Sequence, residues 1–201
     1  MHLFKPTTGP SPMLIPYVGF PMALGHEIAG RVVEAGPDCE HAVGTEVAVD
    51  PVIACAARGI DPPCPKCAAG AASACVNVGT GALTPGMGLG FTSGLGGGWS
   101  EQVVAHTTQL HPLPEGLDAT TASLHEPLSI AVHGILRHPP EPGVPVLVIG
   151  AGVIGLAAVA VLEALFPDSE VTVAARYPHQ AEAARALGAE QIVDAGDGQF
   201  D

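Results

Sequence analysis

With 201 residues, 47% of them apolar and 13% charged, the chain can fill one large or two small globular domains and is too apolar to be disordered. Its 20 acidic and 7 basic residues give a net charge of -13, which repels phosphate backbones and anionic bilayers, so nucleic acid and membrane are not expected partners. No apolar run reaches the length of a membrane span and the first residues lack signal-peptide character, so a cytoplasmic protein is expected, with five cysteines that read as metal ligands or free thiols rather than a disulfide framework.

Residues 1–23 carry prolines at 6, 10, 12, 16 and 21 without sustained periodicity and predict an irregular loop. Leu24 to Gly30 is followed by two short β-rich runs, Arg31 to Gly36 and Gly44 to Val49, separated by the turn signal Gly36-Pro37-Asp38. His26 and Glu27 adjoin a strand start, where neighbouring side chains point to opposite faces, so in isolation they read as a half-buried polar residue and a surface charge. The cysteines change that reading. Cys55, Cys64, Cys67 and Cys75 form C-x8-C-x2-C-x7-C among prolines and glycines, a spacing that lets four thiolates converge on one tetrahedral zinc without long-range folding. A redox C-x2-C pair and four free thiols are the alternatives, and Cys39, in a turn, is read as unligated.

From Gly79 to Gly98 nine glycines and no charge predict a long loop, after which Trp99 to Ala105 alternates well enough for a strand and Leu113 to Asp118 for a turn. Asp118 is placed to cap a short helix over 119–124. Pro127 suits the first position of a helix to about Arg137, which makes Glu126 its N-cap, either a cap alone or a carboxylate aimed into a cleft. Pro139 to Gly143 reads as a linker, dividing the chain into domains 1–138 and 144–201.

Val146 to Ile149 reads as a parallel strand buried on both faces. Glycines then fall at 150, 152 and 155, a G-x-G-x-x-G running through Val153 and Ile154 into the apolar segment Leu156 to Leu165. The first glycine permits the turn, the second lets a pyrophosphate approach the backbone, and the third lets helix and strand pack closely, with the phosphates on the helix N-terminus. A second strand is expected from Glu170 to Ala174, then a helix over 179–187, Gly188 as its cap, and a third strand over 191–193. An acidic residue that reads the adenosine ribose is expected about 20 positions beyond the motif. Here Ala175 and Arg176 stand there instead, which favours a 2'-phosphate and hence NADP over NAD, unless Arg176 is an ordinary surface charge.

Together, Gly25-His26-Glu27, the four cysteines after Val49-Asp50-Pro51, Gly97-Gly98-Trp99-Ser100-Glu101, Glu126-Pro127-Leu128, Gly150 to Gly155 and Leu187-Gly188-Ala189 resemble the zinc-dependent medium-chain dehydrogenases, particularly their sorbitol and threonine dehydrogenase branch. The resemblance implies an α/β protein with a β-rich part: a GroES-like β-barrel catalytic domain, incomplete at its N-terminus, followed by the first half of a Rossmann doubly wound domain. It implies His26 and Glu126 as ligands of a catalytic zinc, Glu27 as the glutamate that can enter its coordination sphere, and Cys55, Cys64, Cys67 and Cys75 as a structural zinc site. Six extra residues separate Cys55 from Cys64 relative to the family's usual spacing. Met1-His2-Leu3-Phe4 resembles the end of the family's C-G-[ST]-D-x-H motif, with His2 as a proton-relay residue and the cysteine ligand upstream of residue 1. On this reading the chain is cut at both ends and inactive by itself, while its full-length parent is a homo-oligomer that moves hydride between an alcohol or polyol and NAD(P). A non-catalytic remnant with structural zinc and half a cofactor domain, and a zinc-free quinone-type reductase, are the other readings.

Overall fold

The computed structural model describes residues 21–196, so the proline-rich start to residue 20, His2 included, lies outside the described residues. The chain divides at the Leu124/His125 junction into two compact units.

In the first unit, strands β1 (Ile28–Arg31) and β2 (Glu46–Val49) run antiparallel, with Ile28 opposite Val49 and Arg31 opposite Glu46. The Arg31 guanidinium donates to Glu46 at 2.7 Å, but both side chains are solvated and the pair contributes little. On the far edge of β2 lies β3 (Leu110–Pro112), giving a three-stranded sheet that does not close into a barrel among the described residues. Ile28, Val32, Val47, Val49, Ile53 and Leu89 make its core. Residues 99–105, expected as a strand, are not one. Trp99 instead bonds its N–H to the Leu24 carbonyl at 2.8 Å, and Trp99 and Val104 are exposed, so the alternation there does not mark a buried face.

The cysteine stretch contributes one turn of helix, α1 (Pro65–Ala68), and α2 (Ala119–Ala122) closes the unit. The Asp118 side chain accepts the Thr121 N–H at 3.0 Å, the cap expected of it.

In the second unit, α3 (His125–Arg137) begins two residues earlier than expected. Pro127 is therefore its third residue rather than its first, still within the turn whose N–H groups need no helical partner, and Glu126 lies inside the first turn instead of capping it. The sheet is parallel, in the order β4 (Val146–Ile149), β5 (Val171–Ala175), β6 (Gln191–Asp194). The crossovers are α4 (Val153–Leu165) and α5 (Pro178–Ala186), with Gly188 at φ +109° ending the latter. Val159, Leu162, Val171, Val173 and Ala184 form the core, and Ile135 of α3 packs against it. With that contact α3 groups with the sheet, and residues 139–143 fall within the same unit.

Strand β4 is not buried on both faces. Val146 and Val148 pack on the core, while Leu147 is 52% and Ile149 67% exposed, because the helices cover only one face of the sheet among the described residues. No helix of the described residues is long and apolar enough to cross a membrane.

Candidate metal centre and nucleotide turn

The four cysteines of the first unit converge. Each of Cys55, Cys64, Cys67 and Cys75 offers a sulfur within 4.8 Å of all the others, and three of the four are buried. Local geometry brings them there: Cys64 ends an extended segment and caps α1, which carries Cys67 one turn on, while a 3-10 turn over Ala72–Ala74 delivers Cys75. Four thiolates at about 2.3 Å from a tetrahedral zinc stand roughly 3.8 Å apart. The Cys55 and Cys75 sulfurs are 3.7 Å apart, so the cluster fits the ion.

Peptide and side-chain N–H groups point at these sulfurs, the Cys64 N–H and the Asn77 Nδ2 at Cys55 (both 3.3 Å) and the Asn77 N–H at Cys75 (3.4 Å). Such donors favour thiolate. The backbone N–H groups of Cys67 and Val76 hold the Cys64 thiol down at about 6. Despite the backbone hydrogen bond at Cys55, which lowers it, Cys67 is pushed up to about 12 by burial and the neighbouring thiols. Burial likewise raises Cys75, whereas the Cys64 backbone hydrogen bond lowers Cys55. Cys39 stands apart, its sulfur 3.5 Å from the His41 carbonyl.

His26 and Glu27 sit at the entrance to β1, His26 half-buried and Glu27 exposed, with ligand atoms within 4.8 Å of each other. The His26 ring lies 4.5 Å from that of Phe91, tilted by 39°. Phe91 is in the glycine-rich loop, and composition alone did not single it out. Its position follows from glycines that let backbone meet backbone. A Cβ on Gly90 would overlap the Gly25 carbonyl, and the Gly98 N–H donates to that same carbonyl at 2.8 Å. In the second unit, Glu126 is half-buried in the first turn of α3, where its carbonyl accepts the Ser129 hydroxyl at 2.7 Å.

The turn between β4 and α4 shows what each glycine does. Gly150 takes φ +95°, a conformation that favours glycine. Gly152 caps α4 without a side-chain hydrogen bond and faces open space, which leaves the helix N-terminus available to an anion. A Cβ on Gly155 would collide with the Gly150 carbonyl. Val153 and Ile154 are exposed beside the turn. Ala175, buried, ends β5 opposite Asp194, and the exposed Arg176 places its guanidinium 5.5 Å from the Tyr177 ring centroid.

The alcohol dehydrogenase GroES-like domain model matches residues 3–115. The chain belongs to that family. Its relatives place it among the zinc-type medium-chain dehydrogenases: it is 34% identical over 179 residues to (R,R)-butanediol dehydrogenase of Saccharomyces cerevisiae, covering 85% of this chain and 44% of the relative. It is 32% identical to sorbitol dehydrogenase of Arabidopsis thaliana, over 86% of this chain and 43% of that one. Among solved structures, the RspB alcohol dehydrogenase of Escherichia coli in complex with NADH superposes at TM-score 0.73 with 31% identity, covering 90% of this chain and 49% of that one. A zinc-binding dehydrogenase of Sinorhizobium meliloti bound to NADP gives 0.72 and 31%, with the same coverage. This medium-chain dehydrogenase sequence thus spans about half the length of the relatives it matches.

Proposed function

We propose that this sequence belongs to a zinc-dependent dehydrogenase that moves hydride between an alcohol or polyol and NADP. The observation that carries the reading is one chain holding both a cluster of four cysteine sulfurs and a glycine turn that leaves a helix N-terminus without a side-chain cap. Cys55, Cys64, Cys67 and Cys75 are assigned a structural zinc, and His26, Glu27 and Glu126 are assigned as donors to a catalytic one. His2 remains a proton-relay candidate on the family resemblance.

A zinc held by His26, Glu27 and Glu126 would supply Lewis-acid polarisation of an alcohol oxygen, and a nicotinamide cofactor bound at the β4–α4 turn would supply the hydride-acceptor chemistry. The chain's own part is orientation. Phe91 braces the His26 ring, the first turn of α4 offers backbone N–H groups to the pyrophosphate, and Gly152 keeps that approach clear. Arg176 supplies a planar cation for a 2'-phosphate where Ala175 leaves no competing carboxylate. The acidic surface fits a soluble cytoplasmic protein without nucleic-acid or membrane partners, and homo-oligomerisation is proposed by family analogy. For these 201 residues alone we propose no turnover, since the nucleotide sheet of the described residues has three strands where a dinucleotide fold uses six.

Metal content decides between the readings. Purified full-length protein carrying this sequence is expected to hold two zinc ions per chain by mass spectrometry, with His26→Ala losing one and Cys67→Ser losing the other. One ion in the wild type, unaffected by His26→Ala, would favour the non-catalytic remnant, and none the quinone-type reductase.

A further inference from the structure

Arg58 is fully buried, yet no carboxylate among the described residues pairs with it. Its guanidinium instead donates to five main-chain carbonyls: Nε to Ile53 (3.3 Å), Nη1 to Thr80 (3.1 Å), Leu83 (3.3 Å) and Thr84 (3.3 Å), and Nη2 to Gly86. Four of these acceptors belong to the start of the glycine-rich loop. The loop also closes on Arg58 through backbone, since the Ala82 N–H donates to the Arg58 carbonyl at 2.9 Å and a Cβ on Gly81 would meet that oxygen at 2.7 Å.

Such a loop has little side-chain core with which to hold its shape, and a buried cation is costly without compensation. Carbonyl dipoles provide part of that compensation. The rest has one evident source, because Arg58 lies three residues beyond Cys55 and four thiolates around a divalent ion leave two formal negative charges. Burial lowers the guanidinium from its ordinary value, and charge on Cys75 and Cys55 acts in the opposite direction.

The loop continues from Arg58 to His26. Ile53 N–H donates to Met87 (3.0 Å) and Leu89 N–H to Pro51 (2.9 Å), pinning residues 87–89, after which Gly90 rests on Gly25 and Phe91 on the His26 ring. We propose that Arg58 is a positioning residue that draws the glycine-rich loop onto the cysteine lobe and, through Phe91, sets the His26 ring, with the metal-bound thiolates as its counter-charge. The counter-charge part rests on the structural zinc proposed above; the loop-ordering part does not.

Lysine keeps the charge but cannot fan planar donors to five acceptors, and methionine removes the charge while roughly keeping the length. Hydrogen exchange by mass spectrometry on the zinc-loaded protein is the test. Arg58→Lys is expected to speed exchange at Ala82, Gly86 and Leu89 by about tenfold or more, while peptides of β4 and β5 stay as in the wild type. The ring-nitrogen resonances of His26 should shift in the same variant, which a purely local packing role would not cause. Stripping zinc from the wild type with a chelator should speed exchange at the same three amides, and by a clearly smaller factor in Arg58→Met.

Unchanged loop exchange in Arg58→Lys would overturn the proposal, and an unmoved His26 would remove its link to that ring. Should the wild type bind no zinc at the cysteines, the structural-zinc assignment and the counter-charge fail together, while the Lys comparison still decides the loop. If either variant does not fold, the chelation experiment on the wild type stands, and unaltered exchange at 82–89 after zinc removal refutes the coupling.

Discussion

Ala175 is one methyl group at the position where a dinucleotide fold usually presents a carboxylate to the adenosine ribose, and that small difference carries the cofactor proposal. An aspartate there would repel a 2'-phosphate, whereas Ala175 offers no charge and Arg176 follows it immediately. Asp194 stands opposite Ala175 in register, but its carboxylate already accepts the Gly196 N–H at 3.0 Å. A full-length protein carrying this sequence is expected to favour NADP over NAD in kcat/KM by about tenfold or more, in line with a charge-assisted contact of about 1.5–3 kcal/mol. Ala175→Asp combined with Arg176→Leu should invert the ratio, and a parent enzyme that already prefers NAD would refute the assignment. Solved relatives are known with NADH and with NADP, so the family alone does not decide the matter.

At the scale of elements, the β4–α4 turn separates two functions of glycine. Gly155→Ala forces a Cβ into the Gly150 carbonyl, and overpacking of this kind costs about 1–3 kcal/mol. Gly152→Ala meets nothing within 4 Å, so thermal unfolding should stay near that of the wild type while nucleotide affinity in a fluorescence titration drops. Equal loss of stability in both variants would contradict this division. The same turn was legible in the sequence because glycine spacing, an apolar run and helix length all pointed one way. Other elements were less so. The alternation at Trp99 to Ala105 looked like a strand, yet main-chain bonds to Leu24 and Gly25 organise its start, and nothing in the local pattern reports a partner that distant. Pro127 misplaced the start of α3 by two residues, since proline is accepted anywhere in a first turn. The cysteine spacing was readable as four sulfurs drawn to one place, which is where they lie, but the positions of Phe91 and of the carbonyls around Arg58 depend on where a nearly featureless glycine loop is laid down.

Over the whole molecule, the two units draw their order from different sources. The second has an apolar core of Val159, Leu162, Val171 and Val173 between helices and sheet, whereas the first sets its cysteine lobe beside a small sheet core. Structural zinc in small peptides contributes about 10–16 kcal/mol, comparable with the entire stability of a domain. Cys67→Ser should therefore release one zinc and lower the unfolding temperature of the first unit, followed by exchange of its peptides, and unchanged zinc content would sink the assignment. Acid should act at the same place. The folded value of Cys64 is depressed from 9.0 to about 6, so its thiolate contributes in full above 9.0, progressively less as pH falls, and is lost below about 6. Zinc retention against a fixed chelator is expected to fall as pH drops through that region, and a flat profile down to pH 5 would contradict it.

All four sulfurs come from the 21 residues between Cys55 and Cys75, and that compactness bears on the order of events while the protein is being made. A ribosome adds about 5–20 residues per second, and domains generally fold from the N-terminal side first. The complete ligand set exists once Cys75 has left the exit tunnel, before β4, α4 and β5 have been synthesised. On the structural-zinc assignment proposed above, the nascent chain would be able to capture its metal at that stage. On the same assignment, the lag in a zinc-starved cell would fall on the first unit, leaving β4, α4 and β5 folded while the cysteine lobe still waits for its ion.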